Sequence, residues 1–174
     1  MHDLDLYDLD ELLRPDEKAL REEARAFVAE AVLPGIGAHY DAGTFPREVE
    51  TGMGARGFLG PTLPVEVGGR GATPIGYGLI CQELERGDSG VRSFASVQGS
   101  LVMWPIHAFG SDEQRRRWLP ALASGATVGC FGLTEPDFGS NPAGMTTRAR
   151  REGGDWVLDG VKRWSTNGAV ADVA

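Results

Sequence analysis

The spacing of apolar residues changes near residue 126, and this change limits the fold more than any other feature of the chain. Before it, residues such as Leu20, Ala24 and Phe27 recur at the three- and four-residue intervals of an amphipathic helix. After Gly125, short apolar runs alternate with glycine turns, which is typical of paired strands. The sequence therefore predicts an α+β fold with an acidic tail over residues 1–14, a helical bundle over residues 15–125 and the start of an antiparallel β domain over residues 126–174.

Local signals set the expected bounds of the elements. Ser111 and Gln114 form a capping box that starts one helix. Pro105 is expected to interrupt the helix before it, because proline has no amide hydrogen to donate. The expected helices cover about residues 15–33, 47–56, 74–86, 91–104 and 112–124, and the expected strands cover about residues 127–133, 146–151, 155–158 and 161–166.

Charge and composition exclude several classes of protein. A net charge of −8 argues against a nucleic-acid partner, and no apolar run reaches the ~20 residues of a membrane span. The two cysteines and three histidines lack the spacing of metal ligands or of a disulfide framework, so no metal site is expected. The acidic N-terminus lacks the basic region of a secretory signal, which predicts a cytoplasmic protein. Only two lysines among 17 basic residues, together with 25 glycines, indicate a GC-rich and therefore bacterial genome.

The stretch Cys130–Pro142 carries the most chemistry. Its glycines let backbone N–H groups approach a ligand, and its threonine and serine offer hydroxyl groups. From the residues alone it is either a ligand-binding loop or an ordinary connection after a strand. Trp164 is likewise either a core aromatic or a stacking surface. Arg92 either pairs with Asp88, one helical turn away, or serves a ligand.

Three motifs lie in order along the chain. Phe131–Pro136 (Phe-Gly-Leu-Thr-Glu-Pro), followed by Gly139-Ser140, resembles the flavin-binding signature of the acyl-CoA dehydrogenase family. Gly160–Asn167 resembles the strand of that family that ends in Trp-Ile-Thr-Asn, and Pro64–Gly69 resembles its Pro-Glu-Tyr-Gly-Gly loop. From about Pro15 onward the chain is therefore similar to this family of flavoproteins.

The resemblance implies an FAD site. Trp164 and Thr166 would pack beside the isoalloxazine and hydrogen-bond to it, and Ser140 would also contact the acyl-CoA substrate. The expected FAD-binding residues are Phe131, Leu133, Thr134, Gly139, Ser140, Trp164, Ser165 and Thr166.

Within the family, Glu83–Ser93 resembles the segment of glutaryl-CoA dehydrogenase in which an Arg-Ser pair holds the distal carboxylate of the substrate. The resemblance implies that Arg92 and Ser93 bind that carboxylate and that Ser140 also contacts the substrate. The implied substrate is glutaryl-CoA.

The family's reaction removes two hydrogens across the α–β bond of an acyl-CoA thioester. A carboxylate takes the α-proton, and the flavin accepts the β-hydrogen as hydride. Glutaryl-type members also release carbon dioxide. The resemblance places the base, a glutamate, in a C-terminal helical domain beyond residue 174. No catalytic residue is therefore assigned in this chain, which is expected to be truncated before that domain and to bind FAD weakly or not at all alone.

The sequence leaves other functions open. The intact enzyme is expected to be a homotetramer that passes electrons to an electron-transfer flavoprotein. The alternatives are another acyl-CoA dehydrogenase, a flavin-dependent monooxygenase relative, and a non-catalytic truncated remnant.

Overall fold

A computed structural model describes residues 7–174, so residues 1–6 of the expected acidic tail lie outside the described part of the chain. Helices come first and an antiparallel hairpin comes after them, which confirms the α+β class. The helices are α1 (Pro15–Phe27), α2 (Ile36–Ala42), α3 (Arg47–Ala55), α4 (Pro74–Gly87), α5 (Ser89–Ser96), α6 (Trp104–Phe109) and α7 (Asp112–Ser124). The strands are β1 (Arg148–Glu152) and β2 (Asp155–Asp159), π-helical segments cover Val28–Val32 and Val97–Met103, and 3-10 turns cover Leu9–Leu12, Val65–Val67 and Pro142–Gly144.

The main core forms where α1 packs against α4. The helical spacing of Ala24 and Phe27 on α1 and of Ile80 and Leu84 on α4 places these side chains on facing stripes, and all four are buried. Phe58 closes the layer with its ring edge-on to Phe27, 6.0 Å between centroids. Each such large apolar side chain contributes about 1.5–3 kcal/mol on burial.

Within residues 7–174, every helix falls short of the length and apolarity that a membrane crossing requires.

A buried carboxylate joins the same two helices. Glu83 on α4 accepts hydrogen bonds from Arg25 Nη2 on α1 and from Arg86 Nε, both at 2.8 Å. Burial alone would raise the pKa of Glu83, but the hydrogen bonds from Arg25 and Arg86 outweigh it and hold the pKa below its ordinary value. The ion pair therefore links α1 to α4 beside the apolar core.

Glu83→Gln is expected to lower the free energy of unfolding by about 1–3 kcal/mol at pH 7, because two partly buried guanidinium groups lose their counter-charge. The pKa of Glu83 is lower in the folded than in the unfolded chain. Its stabilisation is therefore present above the unfolded pKa and is lost as the pH falls through the folded pKa. Urea denaturation of both proteins at pH 7 and near pH 3 should show that their difference in free energy of unfolding is smaller at the lower pH. Asp112→Asn, at an exposed ion pair with Arg115, is the matched control with little effect, and a deficit independent of pH would contradict the ion-pair explanation.

The prediction that Pro105 interrupts a helix was wrong. The chain runs from α5 through the π-helical segment Val97–Met103 directly into α6, where Pro105 lies in the first turn. The turn before it is π-helical, with the N–H of Trp104 bonded to the carbonyl of Gly99 five residues earlier, and this wider turn accommodates a proline that has no amide hydrogen to donate. The sequence also missed α2, which has no buried residue and therefore no apolar stripe to detect.

Gln98, in the π-helical segment, connects the helical part of the chain to the β region. Its side chain is fully buried. Its amide nitrogen donates to the carbonyls of Leu122 at 2.9 Å and Thr127 at 2.7 Å, and its amide oxygen accepts from the backbone N–H of Gly129 at 2.9 Å. One side chain thus satisfies three backbone groups at the end of α7 and the start of the β region.

The β region contains fewer strands than the sequence predicts. β1 pairs with β2 in antiparallel register, with Arg148 opposite Asp159, and this confirms the two predicted central strands to within two residues. The predicted strand at 127–133 was wrong, since it makes only an isolated parallel bridge between Gly129 and Val173. The predicted strand at 161–166 was also wrong, because Trp164 has a left-handed backbone (φ +57°) that an extended strand excludes.

Candidate functional site

The two segments that carry the flavin-like motifs lie side by side. The backbone N–H of Arg163 donates to the carbonyl of Thr134 at 2.8 Å. Lys162 Nζ donates to the carbonyl of Leu133 at 3.1 Å. The structure therefore brings residues 131–134 together with residues 162–163, although 29 positions separate Leu133 from Lys162 in sequence.

The predicted FAD-binding residues, called the open surface below, lie in or near these segments and are mostly exposed. Phe131 and Leu133 are each 40% exposed and Trp164 is 80% exposed, so Trp164 is not a core aromatic. Thr134 and Ser165 are half-buried. The remaining predicted residues are exposed, namely Gly139, Ser140 and Thr166.

These residues carry the kinds of group that a large planar ligand needs. Exposed apolar groups of this size mark binding surfaces when they cluster, and their neighbours Ser140 and Thr166 carry hydroxyls for a polar ring edge. Open space surrounds the position of a Cβ at Gly139, where a ligand could approach the backbone. The residues present are therefore compatible with FAD.

Backbone strain accompanies the second segment. Trp164 and Asn167 both lie in the left-handed region, at φ +57° and +67°. For a bulky residue such as tryptophan this conformation costs about 1–2 kcal/mol and is uncommon outside functional sites. The Arg163 guanidinium lies 5.0 Å from the centre of the Trp164 ring, and the Asn167 amide donates to the carbonyl of Gly129 at 3.2 Å. The Asn167 contact ties the end of this segment to Gly129.

Glu135, which directly follows Thr134, is buried at 2% exposure. It accepts from the backbone N–H and hydroxyl of Thr146 at 2.6 and 2.9 Å, from the backbone N–H of Thr147 at 3.0 Å, and from Lys162 Nζ at 2.9 Å. The hydrogen bonds from Thr147 and Thr146, with that from Lys162, hold the pKa of Glu135 far below its usual range. Such a carboxylate is a poor proton acceptor, which agrees with the expectation that the base lies elsewhere.

Arg92 lies on α5 in the groove with α4. Its Nε donates to Glu85 Oε2 at 2.6 Å and its Nη1 to the hydroxyl of Ser96 at 3.3 Å. Asp88, the alternative partner, instead caps α5 by accepting from the backbone N–H of Val91 at 2.9 Å. Hydrogen bonding to Glu85 raises the pKa of Arg92, and the same contact lowers that of Glu85.

Ser93, the predicted companion of Arg92, is adjacent to it in the helix and so faces a different direction. Its backbone carbonyl accepts from the hydroxyl of Ser96 at 3.0 Å. Ser96 lies one turn beyond Arg92 on the same helix face, which the i,i+4 spacing could have revealed. The role of Ser93 stays a prediction.

The groove continues away from Arg92 as a stripe of polar groups. Tyr77 on α4 shares a hydrogen bond of 3.2 Å with Ser100, and Cys81 lies between Tyr77 and Glu85 at helical spacing. Burial raises the pKa of both the Tyr77 hydroxyl and the Cys81 thiol. Both groups are therefore neutral at pH 7, and Arg92 and Glu85 supply the charges of this groove.

Comparison with known proteins gives consistent matches. The family model "Acyl-CoA dehydrogenase, N-terminal domain" matches residues 14–126, and the model "Acyl-CoA dehydrogenase, middle domain" matches residues 130–174. Glutaryl-CoA dehydrogenase from Mycobacterium smegmatis in complex with FADH2 is 52% identical with a TM-score of 0.93, over 97% of this chain and 44% of that one.

Two further relatives have other names. A chain from the structure of the electron transferring flavoprotein of Acidaminococcus fermentans is 34% identical with a TM-score of 0.86, over 92% of this chain and 42% of that one. The human mitochondrial short-chain specific acyl-CoA dehydrogenase is 38% identical over 156 residues, 89% of this chain and 38% of the human protein. The chain thus spans 38% to 44% of the length of these relatives. With two consecutive family models covering nearly all of it, the chain belongs to the acyl-CoA dehydrogenase family.

Proposed function

We propose that this chain is the N-terminal part of an FAD-dependent acyl-CoA dehydrogenase of the glutaryl-CoA type. In that enzyme it would bind FAD and recognise the distal carboxylate of the substrate. The observation that supports the substrate class is the geometry of Arg92, whose guanidinium lies in a helix groove beside the Ser96 hydroxyl. An arginine fork and a nearby hydroxyl suit a carboxylate, because the fork forms two charge-assisted hydrogen bonds and the hydroxyl adds a third.

The residues that would hold FAD are those of the open surface. Phe131, Leu133 and Trp164 offer apolar area to the ring system, and Thr134, Ser140 and Thr166 offer hydroxyls to its polar edge. When bound, FAD supplies the hydride acceptor for dehydrogenation. The chain's own contribution is to fix the two motif segments beside each other.

A second candidate is an acyl-CoA dehydrogenase for short, uncharged acyl groups. Arg92 is already paired with Glu85 at 2.6 Å, so its charge is compensated before any substrate binds. A groove with no net charge would also accept an acyl chain without a distal carboxylate. The human short-chain relative is consistent with this candidate, and substrate selectivity distinguishes the two.

The remaining parts of the proposal concern the whole enzyme. The base that removes the α-proton would be a glutamate outside this chain, and decarboxylation would follow in the glutaryl type. The acceptor of electrons would be an electron-transfer flavoprotein, and the assembly would be a homotetramer. None of these parts changes the roles proposed for residues of this chain.

A hybrid enzyme tests the proposal. Residues 1–174 are joined to the part of the Mycobacterium smegmatis glutaryl-CoA dehydrogenase that lies beyond the matched region. The hybrid is expected to purify with bound FAD and to reduce an electron acceptor with glutaryl-CoA. The 174-residue chain alone is expected to show little flavin absorbance and no turnover. A folded hybrid without flavin would contradict the proposed cofactor role, and faster turnover of butyryl-CoA than of glutaryl-CoA would favour the second candidate.

A further inference from the structure

The buried carboxylate of Glu135 lies at the junction of the two motif segments. Its four donors come from two distant stretches of chain, Thr146 and Thr147 on one side and Lys162 on the other. A carboxylate at 2% exposure is costly unless it is paired and hydrogen-bonded. Glu135 is both, so the two stretches are tied to one point.

Lys162 completes the junction from the opposite segment. Its Nζ contacts the carbonyl of Leu133, the carboxylate of Glu135 and the sulfur of Met145 at 3.1, 2.9 and 3.2 Å. Its aliphatic stem crosses Gly132 so closely that a Cβ there would lie 3.1 Å from Lys162 Cγ. The lysine therefore reaches across the first segment to the carboxylate and sets how near the two segments lie.

We propose that Glu135 and Lys162 are positioning residues that fix the distance between the two FAD-contacting segments, residues 131–134 and 163–166. This inference rests on the proposed function. Neither side chain belongs to the open surface, since Glu135 is buried and Lys162 is half-buried with its ammonium turned toward Glu135. The pair acts on the ligand surface through backbone geometry, and the hydrogen bond from Arg163 N–H to the Thr134 carbonyl is the contact that reports it.

Hydrogen exchange of the 174-residue chain without flavin measures how often the hydrogen bond from Arg163 N–H to the Thr134 carbonyl opens. Glu135→Gln keeps the size of the side chain and removes its charge, and Lys162→Met keeps the stem and removes the ammonium. Both are expected to speed exchange of the Arg163 amide by about tenfold or more while the helical amides stay protected, because the opening is local. Lys162→Arg should restore part of the protection. Glu152→Gln, in an exposed ion pair with Arg150 at 2.8 Å, is the matched control and should change nothing.

The outcomes are distinct. If only Thr146 and Thr147 exchange faster and Arg163 keeps its protection in both variants, Glu135 supports its own loop and the positioning role is wrong. If Glu135→Gln fails to fold, Lys162→Met decides the question alone.

The hybrid enzyme adds a second readout. With the same substitutions, its FAD dissociation constant is expected to rise about tenfold or more, since a displaced segment loses preorganised contacts. Unchanged FAD affinity in both variants would overturn the inference. If the hybrid without these substitutions binds no FAD, the proposed function is wrong. The hydrogen-exchange result would still show whether Glu135 and Lys162 hold the two segments together.

Discussion

Replacement of Arg92 by alanine in the hybrid enzyme is expected to lower kcat/KM for glutaryl-CoA by about two orders of magnitude or more. The substrate's distal carboxylate would lose its charge partner, and removing one partner of a charge pair that the bound substrate shields from water costs about 2–5 kcal/mol. Because ~1.4 kcal/mol corresponds to a factor of ten in rate, this cost corresponds to about one and a half to three and a half decades. Steady-state kinetics with both substrates is the measurement, and butyryl-CoA, which lacks a distal charge, should react at a steady or improved rate.

Two serine variants refine this prediction. Ser96→Ala removes the hydroxyl 3.3 Å from Arg92, and Ser93→Ala removes the predicted companion. If Ser96 donates to the substrate carboxylate, its removal should reduce selectivity for glutaryl-CoA by about one hydrogen bond to a charged group, roughly 1.5–3 kcal/mol. Equal losses for glutaryl-CoA and butyryl-CoA in Arg92→Ala would return Arg92 to a structural pairing with Glu85. The proposal would then be reduced to an enzyme for acyl-CoA substrates in general, without preference for a distal carboxylate.

Gln98→Met is expected to lower the free energy of unfolding by about 3 kcal/mol or more. Methionine fills a similar volume, but the carbonyls of Leu122 and Thr127 and the N–H of Gly129 all lose their partner. Each buried backbone group left without a hydrogen bond costs about 1–3 kcal/mol. Since a domain of this size is stable by about 5–15 kcal/mol, the variant should unfold at clearly lower denaturant concentration, measured by circular dichroism.

Gln114→Met provides the matched control. Gln114 is an exposed glutamine whose side chain caps α7 by accepting from the backbone N–H of Ser111 at 2.8 Å. Loss of a surface cap costs only about 1 kcal/mol, because water can then hydrogen-bond to the Ser111 N–H in place of the Gln114 side chain. A loss of similar size in Gln98→Met would mean that water reaches the buried site as well.

The sequence predicted the elements that local physics determines. The Ser111–Gln114 capping box is present with both of its hydrogen bonds, and the glycine turn between β1 and β2 fixes their register. The prediction of two further strands was wrong for a reason that lies outside the residues of those segments. A strand needs a neighbour along its length, and within residues 7–174 the segments 127–133 and 161–166 make only isolated backbone contacts with other segments.

For the candidate site, the sequence identified the motif segments but not the contacts that join them. Phe131, Thr134 and Trp164 were assigned through the family resemblance, and their roles in FAD binding stay predictions. The contacts of Glu135 with Lys162 connect residues 27 positions apart, and no periodicity in the sequence signals such a pair. Ser96 differs, since the i,i+4 spacing on α5 places it on the face of Arg92, whereas Glu85 lies on the neighbouring helix α4.

The contacts between residues 128–130 and 167–173 have a consequence for the order of folding. The Asp172 carboxylate accepts from the N–H of Val128 at 2.8 Å, and Cys130 N–H donates to the carbonyl of Val173 at 2.9 Å. Both motif segments lie inside the loop that these bonds close, 44 positions long. Closing a long loop is entropically unfavourable and slow compared with helix formation, which needs only local contacts. The helices should therefore form first, and the surface of Phe131 and Trp164 should assemble only in a later, slower kinetic phase.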